Sequence, residues 1–430
     1  MDVVVIGAGA AGLSATSELL KKGKKVLCVE ALDRIGGRCY TENNTFGIPW
    51  DVGAHWLHDY TGNLIAKYGQ NNSKFNVYLV RENILVYEGL NRISPNKLFQ
   101  TFERVKRIKN QLLNSKIDLN YNIKPFKNDI PFIDQIPENL KENEWFETVH
   151  QALGASLASV DFDNYTIYDE LLNYKKIGEN DGFVEEGYGF LLANLRRDIK
   201  VKLDTIVKEI KWDSKGVIIE TNQGSLKSKM CIITVSTNVL SSGIIKFSPS
   251  LPIKKYEAFN GITMGTYNHI TLQLKESFYK NFEILPDTYL FSKITEKNKS
   301  PKGYFGSLRL HKSNLSYFDV GGDFGKDLEK AGEKASIDFV LSKLKSTFGS
   351  KIEEYLIKAC TTKWGKNKYT QGSYSCARPG KAHLRPYLKK NVADKIFFAG
   401  EATSSSFGTV HGADLSGKEV ADEILKLSAI

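Results

Sequence analysis

Cysteine is scarce in this 430-residue chain, and its five residues, Cys28, Cys39, Cys231, Cys360 and Cys376, are odd in number and never spaced C-x-x-C. That scatter argues against a disulfide scaffold, a zinc site and a redox dithiol, and fits reduced thiols in a reducing compartment. No apolar run approaches the roughly 18 residues of a membrane-spanning helix. The chain opens almost at once on Val3-Val4-Val5-Ile6, so no signal peptide is expected. Internal repeats and low-complexity tracts are absent. No long block of one charge occurs either; the densest cluster is Lys21, Lys22, Lys24 and Lys25, and the net charge of +10 reads as a lysine-rich solvated surface. A cytoplasmic protein that binds neither nucleic acid nor membrane is the expectation.

What is present is an ordinary globular composition, 41% hydrophobic and 25% charged, long enough for about two or three domain-sized units. The start reads as strand, turn, helix, strand. Val3 to Ile6 suit a parallel strand buried on both faces. Gly7-Ala8-Gly9-Ala10-Ala11-Gly12 follows, then a helix to about Lys22 that Gly23 ends, then the strand Val26 to Val29 and Glu30.

A lone G-x-G-x-x-G says little; between a buried strand and a helix, with an acid eighteen positions after Gly12, it says much more. Gly7, Gly9, Ala11 and Gly12 let the backbone approach a pyrophosphate, which the free N–H groups and positive dipole end of the helix attract. Glu30, followed by Ala31, is placed to accept hydrogen bonds from a ribose. Downstream, Gly36-Gly37-Arg38 offers a second backbone approach and a guanidinium for phosphate. No second G-x-G-x-x-G occurs, so no separate nicotinamide domain is expected. Were the bound dinucleotide FAD, an enzyme without a nicotinamide site would take electrons from its own substrate and pass them to oxygen, a quinone or a protein.

Further along, helical patterns cover residues 96–115, 139–159 and 166–174, and Gly187-Tyr188-Gly189 introduces a helix over 190–198. Strands are expected near Val207 to Ile210, Val217 to Ile219 and Met230 to Val235, and alternation over His269 to Leu274 predicts a half-buried antiparallel strand. One long helix is expected over 327–348, then the strand Ile396 to Phe398 and a last helix from about Gly412 to Leu427.

These residues resemble the flavin-containing amine oxidase family, which includes polyamine and monoamine oxidases, L-amino-acid oxidases, tryptophan monooxygenases and lysine-specific histone demethylases. The resemblance covers nearly the whole chain. Its marks are the N-terminal turn, Phe397 to Thr403, Gly408 to Ala413, the Gly372-Ser373-Tyr374-Ser375 segment after Trp364, and Val184 to Gly189. It implies a two-part α/β fold: a Rossmann-like FAD-binding domain (1–75, 185–262 and 381–430) and an α+β substrate domain with a mixed, largely antiparallel sheet (76–184 and 263–380).

Carried over by position, the resemblance implies that Glu30, Gly37, Arg38, Val207, Gly400 and Glu401 line FAD. The segment Gly53, Ala54, His55 and Trp56 and the pair Thr409 and Val410 do the same. Ser373 falls where monoamine oxidases carry a flavin-linked cysteine, so non-covalent FAD is expected. Tyr374 would be one wall of an aromatic cage for the amine. Thr409 replaces the second cage tyrosine of monoamine oxidases, as in polyamine oxidases and histone demethylases; it could equally cap the last helix. His269, in Asn268-His269-Ile270, replaces the lysine that positions a water in most members, and either positions a water itself or is a satisfied strand histidine. His411 reads as a local hydrogen-bonder.

The implied reaction is hydride-equivalent transfer from the carbon beside an amine nitrogen to the flavin, with oxygen as acceptor and peroxide as product. The nitrogen must be neutral, because a protonated one has no lone pair to expel the hydride. A polyamine-type substrate is favoured, although the net positive charge opposes polycations; Glu185-Glu186 is a candidate acidic funnel or else a solvated pair. Amino acids are the alternative and would need Arg378 or Arg385 for the carboxylate. Carotene desaturases and protoporphyrinogen oxidases share the N-terminal turn but not the later marks. A flavin-bound scaffold with little turnover is the reading of another class.

Overall fold

The structure is a computed structural model that describes residues 1–80, 83–116 and 129–427. Parts of both expected domains, residues 81–82, 117–128 and 428–430, lie outside the described residues.

The opening run of valines and isoleucine forms the strand Val3–Ile6, at the centre of a five-stranded sheet that is parallel throughout. Its order is Val201–Lys202, Val26–Val29, Val3–Ile6, Met230–Ile233, Ile396–Phe398. Numbered along the chain, that is 3-2-1-4-5, the doubly wound order in which ligands bind beyond the carboxyl ends of the strands. Both faces are covered: Val3 and Val5 pack under the first and last helices, while Val4 and Ile6 join the larger core opposite. Two of the five strands come from the first thirty residues and the other three from three remote stretches of chain, so the sheet is assembled rather than local.

The helix Ala10–Lys21 returns along the first strand and packs on the last helix, Val410–Leu427. Small residues set that approach. A Cβ on Gly12 would stand 1.9 Å from the Gly7 carbonyl oxygen, and one on Gly417 would stand 2.1 Å from that of Ala11.

The second large sheet has seven strands, ordered Leu356–Thr361, Tyr267–Leu274, Leu315–Gly321, Phe305–Leu308, Thr288–Ser292, Asn83–Glu88, Asn91–Ile93. One pairing, Thr288–Ser292 with Asn83–Glu88, is parallel and the others are antiparallel. The small ribbon Ile262–Met264 with Ser375–Ala377 lies where the chain passes between the two regions.

Two expectations need correction. The single helix over 327–348 is two helices, Gly322–Ala331 and Glu333–Phe348, because Gly332 adopts φ 103° and breaks the hydrogen-bond ladder. The helical stretch over 139–159 is divided into Glu138–Lys141, Phe146–His150 and a π-turn at Gln151–Ser156. No described helix is long and apolar enough to cross a membrane.

The substitution Gly12→Ala drives a methyl group into a backbone carbonyl that cannot move aside. It should cost about 1–3 kcal/mol and lower the thermal unfolding midpoint; an unchanged midpoint would mean that the helix tolerates a looser seat.

Candidate active site

The carboxyl ends of the parallel strands open into a cavity of about 1600 Å³ that runs on to the seven-stranded sheet. Of the residues expected to hold FAD or to face the reacting amine, all but Gly12 line it; Gly12 seats the first helix instead.

At one end lies the glycine turn. Gly7 has φ 105°, and a Cβ there would stand 2.5 Å from the Thr234 hydroxyl oxygen. Gly9 bridges to Gly36, and the Gly36 amide donates to the Ala8 carbonyl at 2.8 Å, so two glycine loops face each other without side chains between them. The helix that starts at Ala10 has no side-chain cap and no acid in its first turn. Its free N–H groups are therefore available to a pyrophosphate. Glu30 accepts from the Ala8 amide at 2.7 Å and the Leu32 amide at 3.0 Å, which fixes its carboxylate at the rim with lone pairs remaining for ribose hydroxyls. Ala31, Gly37 and Val207 complete this end. A cradle without Cβ atoms, an uncapped helix and a ribose acid suit a dinucleotide such as FAD.

In the middle, Arg38 ties distant segments together. Its Nη1 donates to the Ser373 carbonyl at 2.6 Å and to Glu401 Oε1 at 2.9 Å. Glu401 also accepts from the Ser375 hydroxyl at 2.7 Å and the Gly408 amide at 2.9 Å. Burial pushes that carboxyl up, but Arg38 and these donors outweigh it and hold it below the usual carboxylate range. Gly53 is equally constrained, since a Cβ there would lie 1.8 Å from the Arg38 carbonyl oxygen.

Tyr374 donates its hydroxyl to the Ser156 carbonyl at 2.8 Å, which fixes the ring in the cavity wall. Burial pushes its phenol well above the ordinary value, so it stays neutral. Thr409 lines the cavity beside Val410 and also caps the last helix: its Oγ1 accepts from the Gly412 amide at 3.0 Å. Lining the cavity and capping the helix coexist in this one side chain. His411 is buried against Asp59 at 3.1 Å, and burial lowers its pKa to about 4.

His269 is buried with both ring nitrogens occupied. Nδ1 meets Asp319 Oδ1 at 2.5 Å and Nε2 meets the Gly53 carbonyl at 2.8 Å. Both partners are acceptors, so both nitrogens carry protons and the ring is an imidazolium. Burial opposes that charge, yet Asp319 raises the pKa above the ordinary value. With both N–H groups engaged, neither remains to position a water. Asp319 accepts on its other oxygen from the Tyr267 hydroxyl at 2.6 Å. Next to this pair, His55 is fully buried, and burial with the His269 charge pushes it well below the ordinary value, so it is neutral.

The rings form a continuous wall away from the nucleotide end. Centroid separations are 5.7 Å for Tyr374–Tyr267, 5.4 Å for Tyr267–His269, 5.0 Å for His269–His55 and 5.5 Å for His55–Trp56. The wall continues from Trp56 through Tyr289 and Phe305 to Phe291, at 5.7, 5.3 and 5.5 Å. Sequence reasoning missed Asp319 and this far wall. An aspartate in the otherwise neutral strand Leu315–Gly321 was the available signal for the first; for the second, Trp56 stands more than two hundred residues before Tyr289, Phe291 and Phe305, and nothing local joined them.

Two expected groups stand elsewhere. Arg385 is buried on Asp169, with further bonds to the Ser375 hydroxyl and the Ala402 carbonyl at 2.9 Å each, and Arg378 is exposed; neither lines the cavity. Glu185 and Glu186 both bond Asn76 and also lie outside it, so they form no funnel.

A doubly wound sheet, a glycine cradle and an aromatic-walled chamber in one cavity define a dinucleotide-dependent oxidoreductase. The sequence matches the flavin containing amine oxidoreductase family over residues 10–425, and the chain belongs to that family. It is an FAD-dependent amine oxidase. Among curated relatives, polyamine oxidase 4 of Oryza sativa subsp. japonica is 28% identical over 449 residues, spanning 99% of this chain and 88% of that one. Lysine-specific histone demethylase 1 homolog 1 of Arabidopsis thaliana is 28% identical over 460 residues, spanning 99% of this chain and 52% of that one. In fold the chain is similar to wild-type putrescine oxidase bound to putrescine, with a TM-score of 0.77, 18% identity and 99% of each chain covered. It is likewise similar to cyclohexylamine oxidase from Brevibacterium oxydans IH-35A, with a TM-score of 0.77, 20% identity, and 100% and 99% covered.

Replacing His269 by Gln leaves Asp319 buried without its cation and should destabilise the protein by about 3–5 kcal/mol. Because the histidine pKa is raised, the stabilisation is complete below its unfolded value near 6.5 and is lost as pH rises through the folded value. Denaturant titrations above pH about 6.5 should therefore show the wild-type advantage over His269→Gln shrinking as pH rises; an advantage that grows with pH in that range would contradict the imidazolium.

Proposed function

We propose that the chain oxidises the C–N bond of amines, polyamine-type amines favoured, to an imine that water converts to a carbonyl compound and a free amine. FAD, held non-covalently, would supply the acceptor for the hydride, with molecular oxygen as the final acceptor of the two electrons and two protons, giving hydrogen peroxide. The observation that carries this reading is the wall of rings led by Tyr374 in the same cavity as the glycine cradle.

The residues of the chain bind, orient and dry the reacting centre. The cradle from Gly7 to Ala11, with Glu30, Ala31 and Gly37, takes the nucleotide; Arg38, Gly53 to Trp56, Val207, Gly400, Glu401, Thr409 and Val410 surround the rest. Tyr374 offers a π-face to the neutral amine, and Thr409 leaves room where a second ring would narrow the chamber. His269 serves as a fixed cation that anchors Gly53. The amino-acid alternative is disfavoured, because Arg385 is engaged with Asp169 and Arg378 is outside the cavity.

Anaerobic mixing of the yellow protein with a panel of amines and amino acids provides the test. Spermidine should bleach the flavin absorbance and amino acids should not. Bleaching by amino acids alone would establish the alternative, and bleaching by none would favour a scaffold with little turnover.

A further inference from the structure

Four large apolar side chains line the amine end of the cavity and are nonetheless open to solvent: Leu79 at 45%, Phe99 at 38%, Leu157 at 60% and Tyr174 at 37% of full exposure. Each comes from a different element. Leu79 ends the strand Val77–Leu79, Phe99 lies near the start of the helix Asn96–Lys116, Leu157 follows the π-turn, and Tyr174 follows the helix Ile167–Asn173. Contacts between these elements close a rim around one opening. The Val80 amide donates to the Asp181 carbonyl at 3.0 Å, beside the pair that Asp181 makes with His58 at 3.1 Å. Lys109 of the long helix meets Glu170, shortly before Tyr174, at 2.6 Å. The Tyr374 hydroxyl reaches the Leu157 carbonyl at 3.3 Å as well as that of Ser156.

Cations surround this rim. The long helix turns the stripe Phe99, Phe102, Glu103, Lys106 and Lys109 to the cavity, and Arg104 and Arg107 stand exposed beside that stripe. Lys175 and Lys176, also exposed, follow Tyr174. Neither arginine and neither of these lysines is ion-paired among the described residues. Over its length the helix carries six Lys and Arg against one Glu. The sequence holds no long basic block; the fold gathers these charges from two separate stretches.

We propose that this rim docks on an anionic lipid surface, with the four apolar side chains entering the interface and the unpaired cations meeting the headgroups. Single apolar tips set around an opening form no continuous groove for a helix or strand of another protein, whereas a lipid interface accepts separate tips without matching their shape. Each cation held near such a surface adds attraction that salt screens, and the net charge of +10 favours the approach. The contact is peripheral, since no described helix is long and apolar enough to cross a membrane. An anionic surface also collects cationic amines as counterions, so docking places the opening where such amines are concentrated; that consequence rests on the amine-oxidase reading, and the docking does not.

Sedimentation of the FAD-loaded enzyme with lipid vesicles tests the docking. The enzyme should pellet with phosphatidylcholine vesicles containing about 30% phosphatidylserine and stay in solution with phosphatidylcholine alone. Arg104→Gln combined with Arg107→Gln should raise the apparent Kd about 10- to 30-fold. Leu157→Ser should raise it about 3- to 10-fold. Lys22→Gln combined with Lys25→Gln, in the densest cationic cluster of the sequence, should leave it unchanged. Failure to pellet with either vesicle, equal pelleting with both, an unmoved Kd in Leu157→Ser, or an equal loss in the Lys22 and Lys25 variant would each overturn docking through this rim. So would binding to duplex DNA as tight as to the anionic vesicles, which marks a general polyanion surface. Bleaching by spermidine, followed on the same samples, reads the amine-oxidase assignment separately: bleaching without docking sinks this proposal alone, and docking without bleaching supports it while sinking amine oxidation.

Discussion

The candidate site depends on one partly buried guanidinium. Arg38 follows the second glycine loop, yet its Nη1 reaches the Ser373 carbonyl and the Glu401 carboxylate, more than three hundred residues away. Glu401 in turn holds Ser375 and Gly408. Through these bonds the nucleotide end, the Tyr374 segment and the turn before the last helix share one anchor. A buried carboxylate without a cation would be protonated or would distort its surroundings; paired, it fixes three loops at once.

A second cation performs a similar task on the opposite wall. His269 joins the seven-stranded sheet to the loop that begins at Gly53, and Asp319 maintains its charge. Both pairs lie in the walls, and the stretch of lining from Tyr374 to Phe291 presents rings. Such a lining suits chemistry in which a neutral amine must be dry and correctly oriented, because water and stray charge would favour the protonated form. Polarity re-enters at the edge, where His58 and Asp181 face each other.

The parallel strand, the glycine turn, Glu30 and the last helix were legible in the sequence because each is a local pattern: an apolar run, glycines at fixed spacing, or an acid at a strand end. Tyr374, Thr409 and Glu401 were legible through motif resemblance, and all three line the cavity. His269 was legible as a position with two readings open, because its state is set by Asp319, fifty residues away. Arg385 failed as a carboxylate receptor for the same reason, its partner being Asp169.

Sequence alone therefore determined the nucleotide cradle and the order of its parts, since backbone conformation and helix-end polarity are properties of neighbouring residues. Only the tertiary structure decided which charges cancel, which nitrogens remain available and which rings adjoin, because burial and pairing arise where strands from remote parts of the chain come within a few ångströms of one another.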